Sequence, residues 1–274
     1  MLWFIIWFIE SLITTGLLSY FVIDVNEWKE AWIPVLLFIG LYIAFAVLFF
    51  VFAYILGLLT SNKKKEYNKV SKFHGFLFDH TLAFLFQGGR AKIHVIGKEK
   101  LPEEPSLFVY NHRSKFDSLS LSVKVKGRRM IQISKPENKD IPIAGDYMHR
   151  NCFLTIDREN ARNAMKTINR AAEFIKDRKY NVGVAPEGTR NKGEGLLPFR
   201  DGCLKVAHKA ECPIVVCKMY NMEKICKNFP FKRTHVYLYI LDVLKYDDIK
   251  DLKTFEISEI IRNKMLEHEN EFDK

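Results

Sequence analysis

Hydrophobic residues dominate the start of the chain almost without interruption and then change period. Residues 1–23 contain one charge, Glu10, and residues 31–60 contain none. Each stretch exceeds the roughly 20 apolar residues that a bilayer-spanning helix needs, so residues 1–60 are expected to form a membrane anchor of two hydrophobic helices. The connector at 24–30 is acidic, whereas Lys63, Lys64, Lys65, Lys69 and Lys72 come after the second stretch. Positive residues stay on the cytoplasmic side, which predicts cytosolic termini and a body facing the cytoplasm from a cell membrane or another lipid-synthesising membrane. No Lys or Arg precedes the apolar run and no small-residue cleavage site closes it before Asp24, which argues against a signal peptide. Glu10 with Trp3, Trp7, Trp28 and Trp32 keeps open a pair of helices lying in one leaflet, because tryptophan favours the interface.

Residues 61–90 read as a basic, amphipathic juxtamembrane segment. Val70, Phe73, Phe76 and Leu77 recur there at helical spacing, and Phe78, Leu82, Leu85 and Phe86 widen the apolar face beyond what a solvated helix tolerates. This helix is expected to rest on the bilayer or dock against the body. From residue 91 to 274, short apolar runs alternate with helical periods, which predicts one α/β domain. Strands are expected at 106–110, 130–134, 153–156, 181–185 and 213–219, and Val236, Leu238 and Ile240 form one face of a last strand. Asp157 is placed to cap a helix whose apolar face is Ala161, Ala164, Met165, Ile168, Ala171 and Ile175. A short helix over 205–210 and an amphipathic one with Ile257, Ile260, Ile261 and Met265 complete the pattern.

With 48% hydrophobic and 27% charged residues, the chain has material for a real core and is not disordered. Charge changes the picture more. Residues 1–60 hold Lys29 against Glu10, Asp24, Glu27 and Glu30, so the formal excess of +10 lies wholly in residues 61–274. An apolar beginning and a basic body suit a protein that grips a membrane and presents cations to anionic lipid or phosphate, with nucleic acid as a rival. Five cysteines, an odd number without C-x-x-C spacing, indicate neither a disulfide framework nor a zinc site.

Candidate chemistry begins directly after the first of these strands, at Asn111-His112-Arg113-Ser114-Lys115-Phe116-Asp117. Five helical steps of about 100° would set His112 and Asp117 roughly 140° apart, so one regular helical face cannot pair them. Across a turn they can meet. If His112 ends the strand and Asp117 opens the next helix, the carboxylate accepts one imidazole N–H and leaves the other nitrogen to take a proton from an alcohol. Nothing resembles a G-x-S-x-G elbow or a cysteine signature, so a general base without its own nucleophile is the chemistry to expect. On spacing alone, a surface histidine and a helix-capping aspartate are the commoner explanation of an H-x-x-x-x-D. A second constellation, Ala185-Pro186-Glu187-Gly188-Thr189-Arg190, also succeeds an apolar strand, where open α/β sheets place their ligands. Gly188 permits close backbone approach, Thr189 adds donors and Arg190 offers a planar fork for phosphate, while Glu187 is placed to orient that arginine or a substrate hydroxyl. An ordinary tight turn with a surface ion pair is the plain alternative.

Taken in order, these blocks resemble the glycerolipid acyltransferases. Asn111-His112 with Asp117 is similar to that family's H-x-x-x-x-D pair. Ser134-Lys135, Ile141-Pro142, Gly145 and Phe153-Leu154-Thr155-Ile156-Asp157-Arg158 resemble its second block, Pro186 to Arg190 its E-G-T-R, and Pro198-Phe199-Arg200-Asp201-Gly202 with Ala207 and Pro213-Ile214-Val215 its last. The likeness runs from about Ile93 to Val216, with Arg200 for the usual lysine and Asn151 where a glycine often stands. It implies a mixed central sheet flanked by helices. It also implies that His112, held by Asp117, deprotonates the free hydroxyl of 1-acylglycerol 3-phosphate, which then attacks the thioester of acyl-CoA or acyl carrier protein to give phosphatidic acid. Arg190, Thr189, Gly188 and Glu187 would build the phosphate site, with Arg158 and Lys135 adding charge. Neither metal nor bound cofactor is expected, the thioester being a co-substrate, and no nucleic acid. Glycerol 3-phosphate or another lysophospholipid as acceptor, hydrolysis of the thioester, and a non-catalytic anchored phosphate- or nucleic-acid-binding protein are the competing readings.

Overall fold

A computed structural model of the chain describes residues 2–23, 28–125, 127, 129–157, 160–177, 179–229 and 231–272. The two apolar stretches form helices α1 (Leu2–Phe21) and α2 (Trp32–Thr60), each long and apolar enough to cross a bilayer. They pair through aromatic side chains. Trp7 on α1 is buried, with the rings of Tyr42, Phe49 and Phe50 on α2 within 6.4 Å. Their other faces, including Ile9, Leu12 and Ile13 on α1 and Ile43, Val47 and Leu48 on α2, are exposed, an arrangement that water disfavours and lipid relieves.

The end of α2 serves the body rather than the anchor. Ala53 C=O accepts a hydrogen bond from Tyr147 O–H at 3.3 Å, and a Cβ added at Gly57 would lie 3.3 Å from Asp146 Cβ. With 29 residues, α2 has more length than the roughly 20 a span requires, and its last two turns supply the dock. Helix α3 (Lys72–Gly88) buries Leu77, Phe78, Leu82 and Phe86 against the body and leaves Phe73, Phe76 and Leu85 exposed. The preceding segment is clamped by Glu66, whose carboxylate meets Lys166 at 3.0 Å and Arg170 at 2.8 Å.

The body then builds β1 (Ala91–Ile96), β2 (Leu107–Tyr110), α4 (Asp117–Lys124), β3 (Met130–Ser134), α5 (Ala144–Arg150), β4 (Leu154–Thr155), α6 (Ala161–Lys176), β5 (Asn181–Val184), α7 (Lys205–Ala210), β6 (Ile214–Tyr220), α8 (Lys224–Asn228), β7 (Thr234–Leu244), α9 (Tyr246–Ile249) and α10 (Thr254–Phe272). The seven strands lie in the order β1-β7-β6-β2-β5-β3-β4. All neighbouring pairs are parallel except β6 with β7, so the sheet is mixed and flanked by helices. Side chains alternate along each strand. Val109, Ile131, Val182 and Val216 meet α6, α7 and α10 on one face, whereas Phe108, Tyr110, Val215 and Met219 meet α3, α4 and α8 on the other. Two covered faces explain why these strands read as unbroken apolar runs.

Three local expectations change. Helix α6 is capped by Asn160, whose Oδ1 accepts from the N–H of Arg162 and Asn163 at 3.1 Å, not by Asp157. The 153–156 run contributes only a two-residue strand. An edge strand, β1, adds to the expected set; Ala91, Ile93 and Val95 pack on the core while Lys92 and His94 occupy its other face, so it lacks the unbroken apolar run that marks the central strands. The five cysteines are all free thiols.

Candidate active site

Strands β2, β3, β5 and β6 run in one direction and end along one edge of the sheet. The turn after β2 carries His112 and opens α4 with Asp117. Its geometry is fixed by a single carboxylate oxygen. Asp117 Oδ2 accepts from His112 Nδ1–H at 2.9 Å and from the backbone N–H of Arg113 and Ser114, each at 2.7 Å. Two main-chain donors on the same oxygen require an acceptor there, so the ring's Nδ1 is the donor and Nε2 is left with its lone pair. Asp117 is wholly buried, while the imidazole keeps 24% of its side chain exposed. Burial pushes the Asp117 carboxyl up from its ordinary range, opposed by the His112 and backbone hydrogen bonds. The result is an imidazole that is oriented from beneath and reachable from above.

The main chain of the base is held as firmly as its ring. Asn111 forms a two-point pair with Met219 of β6, its Oδ1 accepting at 2.7 Å and its Nδ2 donating at 3.0 Å. His112 N–H donates to Glu187 Oε1 at 2.7 Å, and His112 C=O accepts from Asn191 N–H at 2.7 Å. The turn after β5 therefore brackets the histidine on both sides.

Glu187 takes a different place from the one expected of it. It is 4% exposed, and its second oxygen accepts from Leu197 N–H at 3.0 Å. Both hydrogen bonds go to backbone, neither to Arg190, so this carboxylate joins the base turn to the 191–200 loop instead of orienting the arginine. Burial raises its pKa, against the two backbone bonds. Gly188 adopts φ +74°, a left-handed conformation that glycine takes without Cβ strain, and it turns Thr189 and Arg190 outward. Both are exposed. Lys135 comes directly after β3, the sheet neighbour of β5, and is exposed on the same edge. Arg158 lies outside the described residues.

Arg129 is bonded to the Asp79 carboxylate and to Asn151 Oδ1, while Asn151 Nδ2 donates to Tyr147 C=O at 2.7 Å. The asparagine that departs from the glycine of the resemblance thus ties α5 to the start of β3. Gly145 is needed where it stands, since a Cβ there would lie 2.2 Å from Lys139 C=O. Sequence reasoning missed Asn191, Leu197 and Lys218. Lys218 is buried on β6 and paired with Glu269 of α10 at 3.0 Å. Burial lowers its pKa against that partner, and Glu187 is among the charges it feels.

An oriented imidazole open on one side thus lies beside a glycine turn that offers cations on the same edge of the sheet. Residues 92–220 match the Acyltransferase family model. The 1-acyl-sn-glycerol-3-phosphate acyltransferase of Saccharomyces cerevisiae is 27% identical over 179 residues, which are 64% of this chain and 59% of the relative. Its Escherichia coli counterpart is 30% identical over 156 residues, 57% of this chain and 62% of that one. For Haemophilus influenzae the figures are 32% over 126 residues, 45% and 52%, so the similarity spans a little over half the length of these relatives. The 1-acyl-sn-glycerophosphate (LPA) acyltransferase of Thermotoga maritima shares the fold, with a TM-score of 0.54 over 95% of this chain and 97% of that one at 19% identity.

Proposed function

We propose that this protein transfers an acyl group from acyl-CoA or acyl carrier protein to the free hydroxyl of 1-acylglycerol 3-phosphate, giving phosphatidic acid for phospholipid synthesis at the cytoplasmic side of a membrane. The observation that carries this reading is the His112–Asp117 pair at 2.9 Å, buried at the carboxylate and open at the ring. Nε2 takes the proton of the lipid hydroxyl as its oxygen attacks the thioester carbonyl, and Asp117 stabilises the imidazolium that forms. The tetrahedral intermediate collapses with loss of the thiolate, which recovers the proton from His112. No covalent acyl-enzyme forms. Arg190, with Thr189 and the Gly188 turn, holds the acceptor phosphate, and Lys135 adds positive charge to that edge. The names of the relatives support the same acceptor.

The test is a panel of labelled acyl-CoA and acyl carrier protein thioesters against 1-acylglycerol 3-phosphate, other lysophospholipids and glycerol 3-phosphate, with the full chain in lipid vesicles. Transfer to 1-acylglycerol 3-phosphate from one or both donors is expected. Transfer only to another acceptor reassigns the substrate, thioester loss without lipid product means hydrolysis, and no turnover with any pair removes the enzyme reading.

A further inference from the structure

Outside the first two helices, the body exposes two aromatic side chains that its own packing does not explain. Phe231 is 83% exposed and Phe229 is 55% exposed. Among the described residues beyond 90 they are the two most exposed large apolar side chains, and they lie on one connection, between α8 and β7. That connection is not slack. Lys232 N–H donates to Asn228 C=O at 2.8 Å, Asn228 Nδ2 to Thr234 Oγ1 at 2.9 Å, and Arg90 Nη1 to Phe231 C=O at 3.1 Å. Ile225 of α8 is buried beneath it. A loop whose backbone is held this well and whose phenylalanines still face outward is organised to meet an apolar surface.

Charge says which surface. From Lys224 to Leu241 the chain has no Asp or Glu, and Lys224, Lys227, Lys232 and Arg233, which flank the two phenylalanines in the sequence, are all exposed. None of these four has a carboxylate at salt-bridge distance among the described residues. Aromatic residues ringed by Lys and Arg suit the headgroup region of an anionic bilayer, where the rings enter the acyl boundary and the cations stay with the lipid phosphates. Position agrees. An added Cβ at Gly88, ending α3, would lie 4.0 Å from the Phe4 ring of α1, and one at Gly89 would lie 3.4 Å from Ile225 Cγ2. The loop is therefore continuous with the root of the anchor. It also leaves the sheet from the end of β6, where Met219 is paired to Asn111 and Glu223 meets Arg113 at 3.7 Å.

We propose that Phe229, Phe231, Lys232 and Arg233 form a second membrane contact, inserting the two phenylalanines into an anionic lipid surface and thereby turning the edge that carries His112 toward the bilayer. The experiment places a nitroxide at Phe231→Cys in a Cys226→Ser background, the four remaining cysteines being buried. A label at Asp248→Cys on α9, past the opposite end of β7, is the aqueous reference. The full chain is reconstituted in vesicles of phosphatidylcholine with or without phosphatidylglycerol. In anionic vesicles the Phe231 label is expected to be relaxed mainly by oxygen, with nickel-complex accessibility several-fold below the Asp248 label. The double reversal Lys232→Glu/Arg233→Glu should restore aqueous accessibility. Equal nickel accessibility at both labels overturns the proposal, as does spin–spin broadening that reports a second copy of the chain. A depth unaffected by the charge reversal overturns the anionic assignment. Turnover plays no part in the readout, so failure here leaves the acyl-transfer reading where it stands.

Discussion

The turn after β2 and the turn after β5 share an edge of the sheet but are built on opposite plans. In the first, the polar groups are tied down from several sides: Asp117 Oδ2 takes three donors while its Oδ1 is buried without one, Asn111 is paired at both ends, and the main chain of His112 is bonded on both sides. In the second, Gly188 turns the chain so that Thr189 and Arg190 project into solvent. Proton transfer is sensitive to the position and tautomer of one nitrogen, so it needs a preorganised base. On the proposed function the second turn holds the phosphate of a mobile lipid, which needs charge and donors, and a long flexible cation supplies both.

The contrast is broken most severely at His112. General-base catalysis contributes about 10²–10⁴-fold, so His112→Ala should cut kcat of acyl transfer into that range while circular dichroism and membrane association stay as in the wild type. Retained kcat would remove the base from its place. Asp117→Asn comes next, with an expected loss on the order of 10²-fold in kcat, since the amide oxygen that replaces Oδ2 carries no net charge to stabilise the imidazolium and is a weaker acceptor for the same three donors. Here the Michaelis constant for 1-acylglycerol 3-phosphate should change little. A change confined to the Michaelis constant would mean that Asp117 serves binding.

Arg190 sharpens the comparison from the other side. A hydrogen bond to a charged group contributes about 1.5–3 kcal/mol, and about 1.4 kcal/mol is one decade. Arg190→Ala should therefore raise the Michaelis constant for the phosphorylated acceptor by roughly 10–100-fold, with kcat nearly unchanged, and Arg190→Lys should recover part of it. Uncharged monoacylglycerol, tested as a slow acceptor, should not distinguish the variants.

Legibility in the sequence depends on distance along the chain. His112 and Asp117 are five residues apart and meet within one turn, so their pairing can be read from spacing and strand position. The short apolar runs of the buried strands are likewise local, and the observed sheet agrees with them. Glu187 is different. It sits in the same tetrad as Arg190 and invites one joint role, yet its partners are main-chain donors of His112 and Leu197, and backbone N–H groups leave no mark on a residue pattern. The tie from Arg129 to Asp79 and Asn151, and that from Lys218 to Glu269, join elements remote in sequence. Asn160 displaces Asp157 as the cap because the helix starts at Ala161, a boundary that hydrophobic periodicity locates only loosely.

Glu187 is also where the two turns are coupled, and its substitution gives the smallest but most diagnostic effect. Glu187→Gln keeps the shape, retains one acceptor and sets an amide N–H against one of the two backbone donors. Leaving a buried donor unsatisfied costs about 1–3 kcal/mol, which a denaturant midpoint will register, and kcat should fall less than in Asp117→Asn because the ring–carboxylate pair stays intact. Its pH dependence tests the balance at the site. Burial raises the folded-state pKa of Glu187, so its contribution to stability is full below the unfolded value of about 4.3 and is lost as pH rises through the folded one. Glutamine does not titrate. The stability deficit of the variant should accordingly be largest at acid pH and shrink toward neutrality. A deficit that grows with pH would mean that the two backbone hydrogen bonds outweigh burial, making the ionised carboxylate the clamp that holds His112 in line.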